Sequence, residues 1–385
     1  MSFTSIPILD LAEAKDPATK PEFLKQLRHA LMEVGFLYLK NVGIPDSLFA
    51  EVIDKGKAFF DLPEEEKLKI EMKNAPSFLG YSRLSAEITA GAVDHREQID
   101  LSTEHPVPGP EQPRHHHLLA PNQWPSEAAL PGFRAIYTDY MTRMGAISIA
   151  FTSLIAEAIE LPADAFDKYF DADQQHKLKI VKYPDGGGGQ GVGPHKDSML
   201  TSYLLQATAH RGLQVQNVRG AWIDCAPVAG TLVVAIGQGL EALTRGVCVS
   251  TTHRGVKLDA AFDDLETVGV GEVPAAVREQ RRQVAARNGG RRVDDVEFTF
   301  RAGGVAKTLG EATLRNRVKS HPDVGERWYP DILRQIRAEQ AEQAAQQQQQ
   351  QQVEGETQEQ QSEDKTPQES LGRVSSLPVA KVEAH

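Results

Sequence analysis

The sequence predicts an α+β fold: helices first, then a series of short strands forming a sandwich or barrel, then helices again. Three observations carry this. Apolar residues before about residue 160 recur at helical spacing. From His176 the pattern changes to short β-type runs separated by turn residues. The composition, 40% hydrophobic and 25% charged, is that of an ordinary globular chain.

Ile6 to Leu11 is a short apolar run that suits a strand. Pro21 to Glu33 is amphipathic, with Phe23, Leu24, Leu27 and Leu31 on one face. Gly35 ends that helix, and Phe36-Leu37-Tyr38-Leu39 reads as a buried strand. A second helix follows Pro45, with Leu48, Phe49, Val52 and Ile53 as its apolar stripe, and a longer one fits Gly132 to Leu161. Pro162 opens a further short helix. The strand candidates are Leu178 to Val181, Leu200 to Leu205, Gly212 to Val218, Thr231 to Ile236, Cys248 to His253 and Val296 to Phe300. Pro274 to Arg287 reads as a charged helix, and Thr308 to Leu333 as the helical end of the globular part. From about Arg337 the chain is polar and glutamine-rich, including Gln346 to Gln352, and is expected to be disordered.

The net charge of −11, without a basic cluster, argues against a nucleic-acid partner. Cys225 and Cys248 form no C-x-x-C pair and suit a reduced compartment. No signal peptide and no membrane helix are apparent, so a cytoplasmic protein is expected, read as a monomer.

The feature richest in chemistry is His195-Lys196-Asp197, with His253 downstream in Thr251-Thr252-His253. Two imidazoles and one carboxylate hold non-haem Fe(II) on one face and leave the other positions open. In extended chain, residues i and i+2 point the same way, so His195 and Asp197 can converge on one ion. Alone, the pattern is equally compatible with surface loop residues and an unrelated histidine.

The surroundings of this motif follow an ordered series. It includes Glu33-Val34-Gly35-Phe36, Phe59-Phe60-Asp61-Leu62-Pro63, Gly80-Tyr81-Ser82, Asp94-His95-Arg96-Glu97, Lys182-Tyr183-Pro184, Gly212-Leu213-Gln214-Val215, Gly220-Ala221-Trp222-Ile223 and Leu240-Glu241-Ala242-Leu243-Thr244. From about Ile6 to Leu333 the chain resembles the isopenicillin N synthase-like Fe(II)/2-oxoglutarate-dependent dioxygenases. The resemblance implies a double-stranded β-helix (jelly roll) core with flanking N-terminal and C-terminal helices. It implies five parts: an N-terminal dioxygenase domain at 1–102, a helical connection at 103–175, the jelly roll at 176–303, a C-terminal helical segment at 304–336 and the tail at 337–385. It further implies His195, Asp197 and His253 as ligands of Fe(II), with 2-oxoglutarate and O2 as co-substrates. The expected reaction is hydroxylation, desaturation or ring closure of a small organic molecule. Tyr183 matches a residue that the family uses as a hydroxyl donor to 2-oxoglutarate, and otherwise reads as a core tyrosine.

One element departs from the family pattern. An Arg-x-Ser about ten residues after the second histidine normally pairs with the far carboxylate of 2-oxoglutarate. Here Arg254 is followed at once by Gly255, where family-like sequence resumes, and the sole later Arg-x-Ser is Arg373-Val374-Ser375 in the tail. One strand and its loop are missing, through a deletion or an error in the gene model. The chain is then an active dioxygenase, a non-catalytic relative, or an oxidase that works without 2-oxoglutarate. Arg254 reads as a solvated strand end; Arg292 and Arg301 are possible replacements for the lost arginine.

Other motifs have blander readings. Gly186 to Gly189 lacks the Lys-Ser/Thr of a phosphate loop and reads as a loop that gates the site. His115, His116 and His117 read as a solvated loop, and Trp222 and Phe298 as core. Phe78 and Tyr81 fall where family members line the substrate cavity.

Overall fold

The structure is a computed structural model that describes residues 2–89, 92–170, 174–184, 191–197, 199–250, 273–287, 308–342, 345–346 and 349. Residues Met1–Leu333 form one compact unit and Arg334–His385 a second.

Strand β1 (Ile8–Asp10) leads through a 3-10 turn, Leu11–Lys15, into helix α1 (Lys20–His29), with Pro21 in its first turn. Proline is tolerated there because the first N–H groups of a helix have no internal partner. The helix widens to a π turn over Ala30–Val34, and Gly35 at φ 74° stops it. Strand β2 (Phe36–Lys40) follows, then α2 (Asp46–Phe60) and α3 (Glu64–Leu68). The long helix α4 (Phe133–Ala158) lies against α1 and α2. Its Tyr137 hydroxyl donates to the Val52 carbonyl at 2.7 Å.

The next strands are β3 (Gly80–Ser82), β4 (Ile88–Thr89), β5 (Ala92–Val93), β6 (Glu97–Ser102) and β7 (Lys177–Lys182). Then come β8 (Thr201–Leu204), β9 (Gln214–Gln216), β10 (Trp222–Asp224) and β11 (Thr231–Ile236). One sheet has the order β1-β2-β11-β8 and another β3-β6-β7, while β9/β10 and β4/β5 are two-stranded ribbons. Strand β2, flanked by β1 and β11, is covered on both faces, which explains its unbroken apolar run. Strands of the first hundred residues thus share sheets with strands beyond residue 176. The α+β class is present; of the candidate strand Cys248–His253 the described half, Cys248 to Ser250, is not strand and the rest lies outside the described residues, as do Val296–Phe300, Arg254, Gly186 to Gly189, Arg292 and Arg301.

Four helices complete the described chain: α5 (Gln238–Leu243), α6 (Ala275–Arg287), α7 (Leu309–Ser320) and α8 (Pro322–Trp328). A capping box starts α7: Thr308 Oγ1 accepts from Glu311 N at 3.2 Å and a Glu311 carboxylate oxygen accepts from Thr308 N at 3.3 Å. In the second unit residues 334–342 are helical, so the structureless tail expected from 337 gives way to helix as far as 342, where alanine, arginine, glutamate and glutamine all favour that state. Residues 345–346 and 349 are helical too, and the rest of the tail lies outside the described residues. Among the described residues no helix is long and apolar enough to cross a membrane.

Two readings are corrected. His115, His116 and His117 are a 3-10 turn, Arg114–Leu118, against α7 rather than a solvated loop. His115 is buried, and the His117 ring meets the Tyr329 hydroxyl at 3.2 Å. The neighbouring Arg114 forks onto Asp331 at 2.6 and 3.0 Å, which pins the segment. Trp222 is not core: it is 47% exposed on a two-stranded ribbon, which has too little apolar surface to cover an indole.

Candidate active site

His195 and Asp197 lie on a short extended turn between β7 and β8. The His195 Nε2 and Asp197 Oδ1 atoms are 3.5 Å apart. Two donors each about 2 Å from one ion and roughly at right angles are about 3 Å apart, so a small closing movement would bring both onto one ion. Nδ1 of His195 faces the Gly193 carbonyl at 2.7 Å. That bond places the ring proton on Nδ1 and leaves the Nε2 lone pair toward Asp197, as metal ligands require. Burial also lowers the His195 pKa, which favours the neutral ring.

The turn is braced from two sides. At the start of α5, Gln238 N donates to the Asp197 carbonyl at 2.7 Å, while Gly237 N donates to Leu200 O at 2.9 Å and Gly239 N to Met199 O at 3.1 Å. On the other side Asp94 is fully buried. It accepts from Gly193 N at 3.3 Å, from the Thr89 hydroxyl at 2.6 Å and from the Arg96 guanidinium at 3.0 Å. The Asp94-His95-Arg96-Glu97 series therefore holds the chain just ahead of His195.

The third expected ligand, His253, lies outside the described residues, and among those described no cluster of three His, Cys, Asp or Glu side chains assembles. The imidazole and carboxylate present nevertheless fit an Fe(II) site in kind and spacing. Tyr183 is 51% exposed at the end of β7 and is not a core tyrosine. Burial lowers the pKa of the Arg96 guanidinium and Glu87 raises it; Tyr183 lies near enough to raise it further.

Sequence reasoning missed the charged residues beside this turn. Glu87, Arg96, Asp100, Arg317 and His321 are buried, and Lys179 is partly covered. Opposing charges dominate here: burial would raise the Glu87 carboxyl, yet the permanent charges of Lys179, Arg96 and Arg317 hold it well below the usual carboxylate range. Burial pushes His321 down to about 4. Phe78 is fully buried, stacked on Tyr329 with centroids 5.7 Å apart, and its carbonyl accepts from Arg317 at 3.1 Å. Tyr81 is buried and donates to Glu97 Oε2 at 2.8 Å, so its hydroxyl faces away from Asp100 on the other side of β6.

Residues 6–127 match the family described as non-haem dioxygenase in morphine synthesis, N-terminal, and residues 174–261 match the 2OG-Fe(II) oxygenase superfamily. A 2-oxoglutarate-dependent dioxygenase, frbJ, of Dothideomycetidae sp. (strain 11243) is 63% identical over 367 residues, covering 89% of this chain and 97% of that protein. The chain belongs to the Fe(II)- and 2-oxoglutarate-dependent dioxygenases. A homoarginine-6-hydroxylase of Glycine max is 33% identical, covering 68% of this chain and 83% of its own length. The dioxygenase also resembles a solved Neurospora crassa structure in complex with alpha-KG and thymine, with a TM-score of 0.55, 27% identity, and coverage of 66% of this chain and 80% of that one. The family uses Fe(II), 2-oxoglutarate and O2.

Proposed function

We propose that the dioxygenase holds Fe(II) through His195, Asp197 and His253 inside a jelly-roll core, and oxidises a small organic molecule by hydroxylation, desaturation or ring closure. The observation that carries this is the 3.5 Å approach of His195 Nε2 to Asp197 Oδ1, with the ring tautomer set by Gly193. With 2-oxoglutarate and O2, bound iron supplies an oxidising equivalent at the cost of decarboxylating 2-oxoglutarate to succinate. The protein's own part is to position the ligands, orient both organic molecules and exclude water. In this reading Tyr183, exposed at the end of β7 and near the buried guanidinium of Arg96, donates to a carboxylate of 2-oxoglutarate, as its match to the family motif suggests.

Relatives are named for homoarginine and for clavatol, both small molecules. A gap between Arg254 and Gly255 is compatible with the extent of the alignment to frbJ. Alignment with frbJ runs over 367 residues but takes up 89% of this 385-residue chain, so about two dozen positions of frbJ face no residue here. A strand and its loop are of that length. Sequencing the transcript across Arg254 and Gly255 separates a true deletion from an error in the gene model.

The test is metal content. The wild-type chain, reconstituted anaerobically, should bind one Fe(II), and His195→Ala, Asp197→Ala and His253→Ala should each lose most of it. Full occupancy in the Asp197→Ala and His253→Ala variants sinks the assignment.

A further inference from the structure

The sheet β3-β6-β7 has two unlike faces. Ile99 and Leu101 of β6 join the apolar core, with Leu178 and Ile180 of β7 packed against it. Gln98, Asp100 and Ser102 stand on the opposite face, and the register places Asp100 beside Lys179. These three β6 residues are buried as well. Their cover is charged: Arg317 of α7 donates to Asp100 Oδ1 at 2.7 Å, and Arg96 to Glu87 Oε2 at 2.8 Å. Lys179 Nζ lies 3.3 Å from Glu87 Oε2 and 4.0 Å from Asp100 Oδ1, and His321 Nε2 lies 3.8 Å from Glu87 Oε1.

Stability alone does not account for such a cluster. Buried ion pairs rarely hold a fold better than apolar residues of the same volume. Hydrogen-bonding capacity also remains unused. Arg96 Nε, Arg317 Nε, His321 Nε2 and Gln98 Oε1 have no hydrogen-bond partner among the described residues. Lys179 Nζ donates to Glu87 Oε1 at 3.4 Å and to Oε2 at 3.3 Å, both long for hydrogen bonds, so among the described residues Oε1 has no short donor. Charges balance: Glu87, Asp94 and Asp100 oppose Arg96, Lys179 and Arg317, and burial keeps His321 neutral. A singly charged guest would leave one charge uncompensated there, whereas a guest with both signs would not. The cluster adjoins the iron-site turn, because Asp94 joins Arg96 to Gly193, whose carbonyl meets His195.

We propose that this buried face receives the polar end of the substrate, and that the substrate is a zwitterion of amino-acid type. The N–H groups of Arg96 and Arg317 take its carboxylate, and Glu87 and Asp100 take its ammonium group. The inference rests on the iron-site reading, which makes a charged cluster beside that turn a place for substrate.

The test is isothermal titration of the full chain, iron-loaded and iron-free, with the proteinogenic L-amino acids and L-homoarginine. The tightest binder is then compared with its methyl ester and its N-acetyl derivative. At least one free amino acid should bind, and blocking either charge should weaken it at least about ten-fold. Arg317→Gln should weaken the free acid by a similar factor and leave the methyl ester's affinity unchanged. A structural role alone would weaken acid and ester alike, and that result overturns the proposal. So does an ester that binds as well as the acid, or a chain that takes up Fe(II) but no amino acid. A chain that fails to take up Fe(II) overturns the iron-site reading instead.

Discussion

Asp94 should be the residue through which stability and metal binding are lost together. It is fully buried, and it joins Gly193 N, the Thr89 hydroxyl and the Arg96 guanidinium. Asp94→Ala removes the acceptor shared by two neutral donors, at about 1–3 kcal/mol for each that stays buried. It also strips one of two carboxylates from Arg96, although Glu87 still holds that guanidinium at 2.8 Å. Breaking a buried pair costs about 3–5 kcal/mol, and the surviving partner places the loss at the low end. A total near 5 kcal/mol approaches the whole stability of many domains, so the alanine variant will not be well folded. Asp94→Asn is the informative change: it keeps the volume and one acceptor, and should cost about 2–3 kcal/mol. With Gly193 less firmly held, the His195 ring loses its fixed direction, and Fe(II) affinity should fall about 10–100-fold. Urea denaturation of the metal-free chain measures the first effect, and Fe(II) titration of the folded variant the second. An Asn variant with unchanged urea midpoint and unchanged Fe(II) affinity would refute the reasoning.

Acid should destabilise the chain in a defined window. His321 is held neutral with its pKa lowered to about 4, so the unfolded chain binds more protons between pH 6.5 and about 4, and stability falls as pH drops through that range. The loss is about 3 kcal/mol when complete, Glu87 and Asp100 adding theirs at still lower pH because their pKa values are also lowered; urea midpoints unchanged from pH 7 to 4.5 would count against it. Gly80→Ala should cost about 1–3 kcal/mol, because the glycine has φ 111° and a β-carbon there would crowd the Ile70 carbonyl and come within 2.8 Å of Gln123 Nε2; an unchanged melting temperature contradicts this. Inserting a family-like strand with Arg-x-Ser between Arg254 and Gly255 should raise the melting temperature and strengthen 2-oxoglutarate binding measured anaerobically, since a buried dicarboxylate needs a paired cation. Equal affinity in both chains would mean that another cation, Arg292 or Arg301 among them, already serves.

The elements most legible in the sequence are those whose burial is one-sided or complete. Thr231 to Ile236 reads as a strand from its apolar run and is β11 over the same residues. Pro21 to Glu33 reads as one helix; in the structure it is α1 continued by a π turn, and Gly35 ends it because its φ of 74° favours a residue without a side chain. Boundaries blur where neighbours decide them. Gly212 to Val218 narrows to Gln214–Gln216, the stretch that β10 pairs with. The histidine run misleads because its burial comes from α7 and Tyr329, more than 190 positions away.

The site divides in the same way. His195 and Asp197 are legible because an i, i+2 spacing already places them on one side of extended chain, so no distant contact is needed to bring them together. The residues around them are not. Lys179 sits in Leu178-Lys179-Ile180-Val181, where alternation in a six-residue strand suggests a solvent-facing lysine, and only the arrival of α7 encloses it. Asp100 and Arg317 meet across 217 positions, a pairing that no local pattern announces. A charged residue on an outward-reading face is an ordinary surface residue until a second element covers it. It then costs free energy unless something compensates it. In this dioxygenase the covered face lies next to the His195–Asp197 turn, and among the described residues Arg96 Nε and Arg317 Nε on that face have no hydrogen-bond partner, the kind of compensation a guest would have to supply.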